Sequence, residues 1–205
     1  MSTTQTPSKF AFSAVLLLFI VSLASMVNSG GITAQTAEIQ AAVEYLNRVR
    51  ANPNAFSDEI GVPLHNAEPL HALTWNTSLG AAAQRKAEDM ARRGYFDHVD
   101  PEGYGMNYFI AQAGYELHPL CLQDRSDNFW ESIAAGSDSP TESIIQLIND
   151  GVNSTDLTYA GHRVHLLGMS DNYANCEDIG IGFARNPNSR YRYYCVVLIA
   201  KHTLR

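Results

Sequence analysis

Histidines and cysteines are the side chains of this sequence best suited to chemistry, seven of the first and three of the second. Their neighbours decide which chemistry. His98 closes the run Tyr95-Phe96-Asp97-His98, just past a helix-like stretch that stops at Gly94. Glu131 stands beside Trp130 inside an otherwise apolar, strand-like segment, where a carboxylate needs a partner. Asp150 precedes Gly151, a pair that suits a turn. His162 and His165 are spaced to share one helix face, so His165 reads as a packing histidine or an added ligand. His65, His71, His118 and His202 fall outside any motif.

Several familiar chemistries lack their context. No Gly-x-Ser-x-Gly elbow occurs, and Ser137, Ser139 and Ser143 fit a loop and a helix cap. Cys121 sits in no nucleophile motif, and the absence of a Cys-x-x-Cys pair argues against a thioredoxin-like or zinc-ribbon site. Gly180-Ile181-Gly182 lies inside a strand and opens no helix. It marks a close approach of backbones, not a dinucleotide fingerprint.

The elements that must carry these residues follow from periodicity. Ile39, Val43 and Leu46 place a helix from Thr36 to about Arg50, stopped by Asn52-Pro53-Asn54. A second helix opens at an Asn76 or Ser78 cap and ends at Gly94, with Leu79, Ala83, Ala87 and Met90 inward and Arg85, Lys86, Arg92 and Arg93 mostly outward. Residues 116–130 read as irregular, and Glu142 to Asn149 as a short helix after Pro140. Two β-rich runs, Ile179 to Ala184 and Tyr191 to Ile199, flank Asn186-Pro187-Asn188-Ser189 and form a hairpin. Helices around a late antiparallel hairpin indicate an α+β domain.

Residues 10–27 form an uncharged apolar run, shorter than the roughly 20 residues of a spanning helix. Val27-Asn28-Ser29 before Gly30 fits a small-x-small cleavage site. A signal peptide over residues 1–29 and a single domain over 30–205 are expected, with no stable membrane span after cleavage. The destination is then secreted or extracellular, including periplasm or cell surface. The net charge is −7, more negative still once the leader and its one charge, Lys9, are removed. Nucleic acid is excluded as a partner, since no basic cluster exists to displace counterions. Three cysteines in an oxidising compartment imply one disulfide and one free thiol. Sequence leaves three pairings open; the positions of the last strands favour Cys176 with Cys195, leaving Cys121 free.

An ordered set of segments resembles the CAP superfamily of cysteine-rich secretory, antigen 5 and pathogenesis-related proteins, in its bacterial-type branch. They begin with Tyr45-Leu46-Asn47-Arg48-Val49-Arg50-Ala51-Asn52-Pro53 and Leu73-Thr74-Trp75-Asn76. Gly94-Tyr95-Phe96-Asp97-His98, Ala113-Gly114-Tyr115 and Glu131-Ser132-Ile133-Ala134-Ala135-Gly136 follow. Gln146-Leu147-Ile148-Asn149-Asp150-Gly151-Val152, Gly161-His162-Arg163 and Ile179-Gly180-Ile181-Gly182-Phe183-Ala184 complete it.

The resemblance implies a three-layer α-β-α sandwich with a central antiparallel sheet and a cavity lined by His98, Glu131, Asp150 and His162. Ser132 stands where relatives usually carry Asn, and Leu147 where an aromatic residue is common. Two neutral imidazoles suit zinc or a similar divalent metal, and leave coordination positions open, so weak binding through His98 and His162 is expected. The implied function is an extracellular binding module for a small apolar ligand, a sterol or lipid, or for an extracellular protein or peptide. The alternative is a metal-dependent, peptidase-like hydrolase with Glu131 as general base and Asp150 orienting a histidine. A structural cell-surface protein is the third class.

Overall fold

The computed structural model describes Met1, residues 35–151 and residues 160–202. Apart from Met1, the expected leader and its cleavage point lie outside the described residues. The chain divides into two units, Met1–Ala37 and Glu38–Arg205. The first contributes Met1 and helical residues 35–37; everything below concerns the second.

In chain order the elements are α1 (residues 35–51), α2 (Ser57–Ile60), β1 (Thr74–Trp75), α3 (Thr77–Arg93), α4 (Met106–Gln112), β2 (Glu131–Ala135), α5 (Pro140–Asn149), α6 (Gly161–Leu166), α7 (Asp171–Ala174), β3 (Asp178–Arg185) and β4 (Tyr193–Ala200). The helices and hairpin read from periodicity are present. The shorter α2, α4, α6 and α7 carry too few turns for a period to show.

Asn76 starts α3 by accepting hydrogen bonds from the Ser78 and Leu79 amides at 3.0 and 3.2 Å. Gly94 ends it in the left-handed conformation, φ 73°, where a side chain would be strained. Leu79, Ala83, Ala87 and Met90 are fully buried. This small-residue stripe lets α3 lie directly on the sheet. A Cβ built on Gly180 would come within 2.2 Å of the Leu79 carbonyl carbon, and one on Gly182 within 2.2 Å of that of Ala83. The Gly180-Ile181-Gly182 run is therefore the close approach it was read as.

The sheet has the order β1-β3-β4-β2. Its hairpin β3–β4 and the β2–β4 pair are antiparallel, but β1 runs parallel to β3. The sheet is mixed rather than purely antiparallel. The correction has a simple origin: two residues, Thr74 and Trp75, are too short for any alternation to be read.

Register sorts the side chains between layers. Gly180 pairs with Leu198 and Leu198 with Glu131, so Glu131 shares the face that α3 covers; Ser132 and Ala134 point to the other face, where α5 and α6 pack on β2. Helices on both faces make the three-layer α+β sandwich.

Two expectations fail. Lys86 is buried rather than outward; it lies seven residues after Leu79 and four before Met90, a stripe position on a helix. All three cysteines are free thiols, Cys121 half-buried and the other two buried. The favoured Cys176–Cys195 bridge does not form because Cys195 pairs with Phe183 and Ala134, while Cys176 precedes Asp178, the partner of Ala200. The step from Cys195 to Ala200 alone spans roughly 16 Å at about 3.3 Å per residue. A disulfide tolerates a Cα separation of only about 7 Å. Burial pushes the Cys176 and Cys195 thiols up to about 12.

Candidate functional site

The first His–acid pair joins the end of α3 to β2. Past the Gly94 cap, Lys86 Nζ donates to the His98 carbonyl oxygen at 3.0 Å and lies over the Tyr95 ring at 4.9 Å. This fixes the backbone at His98. The imidazole Nδ1 meets Glu131 Oε2 at 2.7 Å. The Glu131 side chain is 0% exposed and that of His98 41%. Burial pushes the Glu131 carboxyl above the usual carboxylate range, against the opposing pull of the His98 hydrogen bond and the Lys86 charge. Its other oxygen, Oε1, is buried without a partner among the described residues. Burial likewise lowers the Lys86 ammonium, opposed by the charges of Glu131, Asp100, Asp97 and Asp89.

The second pair joins α5 to α6. Asp150 caps α5 with φ 54°, a left-handed position that Asp tolerates better than most residues, and its amide donates to the Gln146 carbonyl at 2.9 Å. Its carboxylate takes two bonds from one residue: His162 Nδ1 at 2.7 Å and the His162 backbone amide at 3.1 Å. Arg163 makes this geometry possible. Its Nε and Nη2 donate to the carbonyls of Ile148 and Asn149 at 2.7 and 2.8 Å, stitching α6 to the last turn of α5. The His162 side chain is 35% exposed and that of Asp150 11%.

His165, one turn after His162, is a packing residue. Its Nδ1 meets the Ser132 hydroxyl at 2.8 Å and its Nε2 the Ile199 carbonyl at 3.2 Å. The carbonyl accepts only, so Nε2 carries the proton and Nδ1 accepts from Ser132. Burial drives this imidazole down to about 4, with smaller contributions from His162, Arg50 and His98. Both dyads are thus electrostatic neighbours of one buried histidine. Ser132 is the side chain that holds it from β2.

All four expected site residues therefore enter His–acid pairs, His98 with Glu131 and His162 with Asp150. Beside the second pair lies a groove of about 660 Å³ whose lining includes Asp150, His162, Phe96, Ile133, Ile145 and Tyr191. Sequence reading missed three contributors: Lys86, Arg163 and the Ser132–His165 link. Lys86 had a visible signal, a cation on a core stripe; Arg163 depends on how α6 folds back on α5, and the Ser132–His165 link on a contact between distant segments.

The metal implied by the resemblance meets a mixed set of donors. In each pair Nδ1 faces a carboxylate, and Nε2 has no hydrogen-bond partner among the described residues. That is the arrangement in which a second-shell carboxylate orients a ligating imidazole. Yet no group of three or more His, Cys, Asp and Glu among the described residues is placed to hold an ion. The described residues therefore offer separate imidazole donors and no closed structural site.

An α+β sandwich carrying two His–carboxylate pairs, the second of them beside a groove, defines a class of protein. The chain belongs to the cysteine-rich secretory protein family, CAP, whose family model matches residues 43–199. No curated protein matches the chain. Among solved structures, it is similar to an extracellular SCP-domain protein from Bacillus anthracis, at 18% identity and a TM-score of 0.44, over 82% of this chain and 41% of that one. An outer surface protein from Borrelia burgdorferi matches at 16% identity and a TM-score of 0.46, over 78% of this chain and 94% of that one. Venom allergen-like protein 4 from Schistosoma mansoni matches at 16% identity and a TM-score of 0.48, over 80% and 88%. The chain spans less than half of the first of these.

Proposed function

We propose that the chain is an exported binding module whose two His–carboxylate pairs hold a divalent transition metal weakly, next to a groove that takes an apolar ligand or partner. The observation that carries this reading is the use of both Nδ1 atoms by carboxylates, which leaves Nε2 of His98 and of His162 for a metal such as zinc. Glu131 and Asp150 act through the imidazoles, holding tautomer and ring orientation. When bound, the ion would supply a Lewis-acid contact for a polar group of the ligand. Export is proposed from the leader; among the described residues no helix is long and apolar enough to cross a membrane.

The hydrolase alternative asks Glu131 to take a proton from water. Its side chain is fully buried and one oxygen is committed to His98, which favours the binding module. Zinc titration calorimetry on the wild type, His98→Ala and His162→Ala tests the reading, beside a hydrolysis screen with and without chelator. Each variant should lose affinity by at least roughly 10- to 100-fold, and wild-type binding should fade as pH falls below the histidine range. Wild-type affinity in both variants would remove the metal site. Turnover abolished by chelator and by Glu131→Gln would replace the module with the hydrolase.

A further inference from the structure

We infer that the outer edge of β2 takes an extended peptide as a fifth strand of the sheet, with a basic residue in the bound segment. This rests on reading the groove beside Asp150 and His162 as the ligand site; it does not rest on metal binding.

Strand polarity carries the argument. Ile199 N donates to the Trp130 carbonyl at 3.1 Å, and Gly136 N to the Tyr193 carbonyl at 3.1 Å. In the antiparallel register these pairs fix the even-numbered residues of the segment as those that bond to β4. Glu131, Ile133 and Ala135 therefore turn their N–H and C=O groups to the outer edge. Gln146 Nε2 reaches the Ala135 carbonyl from that side at 3.5 Å. Among the described residues no strand pairs with this edge and Ile133 has no backbone partner there. Such an edge is a template for an incoming strand.

The groove beside it selects the occupant. Ile133, Ala134 and Ala135 line it together with the apolar walls formed by Phe96, Ile145 and Tyr191. A sterol or an acyl chain would fill those walls but offer the Ile133 amide and carbonyl no hydrogen bond, leaving polar groups covered and unpaired at a cost. A peptide backbone satisfies both groups while alternate side chains enter the groove. The acidic residues of the lining are Glu142 and Asp150, with no Lys or Arg, and the chain carries −7 overall. A lysine or arginine in the segment is complementary; an anionic ligand is not.

The probe is a set of end-blocked hexapeptides that alternate Val, Ile, Leu or Phe with Thr and end in Lys, added to the purified, isotope-labelled chain in the presence of a chelator. Binding should shift the Ile133 and Ala135 amide resonances. For the best member, two isomers are made, N-methylated at one or the other set of alternate residues. One isomer should lose at least tenfold in affinity, because its N–H groups face β2, and the other should bind within about twofold of the parent. Ile145→Arg, with its fold checked by circular dichroism, should weaken the parent peptide at least tenfold. Equal affinity of both isomers, resonance shifts elsewhere, or no binding by any member at millimolar concentration would overturn the inference. Binding of a sterol or acyl chain in that last case would leave the binding-module reading standing. Loss of the zinc site would leave this inference untouched.

Discussion

The two His–carboxylate pairs share a 2.7 Å contact and differ in almost everything around it. Glu131 projects from a strand into the layer beneath α3, fully buried, with one oxygen unpaired among the described residues. Asp150 sits on a helix cap, reaches solvent, and accepts from both the ring and the backbone of His162. The first pair is imposed by tertiary packing and carries a desolvation cost that His98 and Lys86 offset only in part. The second is built from local chain geometry and is nearly satisfied. Equal contact distances thus conceal unequal energetics, and the two pairs should respond differently to substitution.

The sharpest way to separate them is Arg163→Met. Two charge-assisted bonds to buried carbonyls would be lost, each worth about 1.5–3 kcal/mol, so a destabilisation of about 3–5 kcal/mol is expected in chemical denaturation. Histidine ring resonances should show His162 released from Asp150 while His98 stays in its wild-type environment. If both rings move together, the pairs form one cooperative unit and the contrast is false.

The residue between them supplies the next test. Burial lowers His165 from the ordinary 6.5 to about 4, so the folded chain holds this ring neutral where the unfolded chain protonates it. Stability from this group is fully present above about 6.5 and is lost as pH falls toward 4, by roughly 3 kcal/mol in all at about 1.4 kcal/mol per pH unit. His165→Asn should flatten that part of the stability curve between pH 7 and pH 4. A slope identical to the wild type would show that His165 is not held neutral.

The legibility of these features follows from how local they are. The Asn76 cap, the Leu79–Met90 stripe and the Gly94 stop are written within α3 itself, and they put His98 in place. The β3–β4 hairpin was readable from two apolar runs and a turn. The parallel β1 was not, because its two residues have meaning only against Asp178 and Ile179. The four site residues were legible only through family-like segments: nothing near Glu131 names His98, some thirty residues away, as its partner. Lys86 has a charge that suggests an outward place and a stripe position that puts it inward, and the separation of Cys176 from Cys195 is hidden because hairpin register depends on how many residues the turn uses.

The smallest expected effect is also the most direct comparison of the two carboxylates. Glu131→Gln and Asp150→Asn each keep an oxygen that accepts from Nδ1 and remove the negative charge. At position 131 the change replaces a buried charge that burial disfavours by a neutral amide in the same volume, so stability near neutral pH should be unchanged or rise by up to about 1 kcal/mol. At position 150 the carboxylate accepts two hydrogen bonds and is partly solvated, so the neutral amide weakens both, and a loss of about 1 kcal/mol is expected. Zinc affinity should nevertheless fall in both variants, by roughly 10- to 100-fold, because each carboxylate orients the imidazole it touches. Thermal denaturation and zinc titration on the same two proteins therefore separate the roles. Opposite signs in stability with losses in affinity for both identify Glu131 as retained for its site against its stability, and Asp150 as serving both. Stability losses of equal size would mean that the Glu131 charge is compensated by Lys86 and His98 after all.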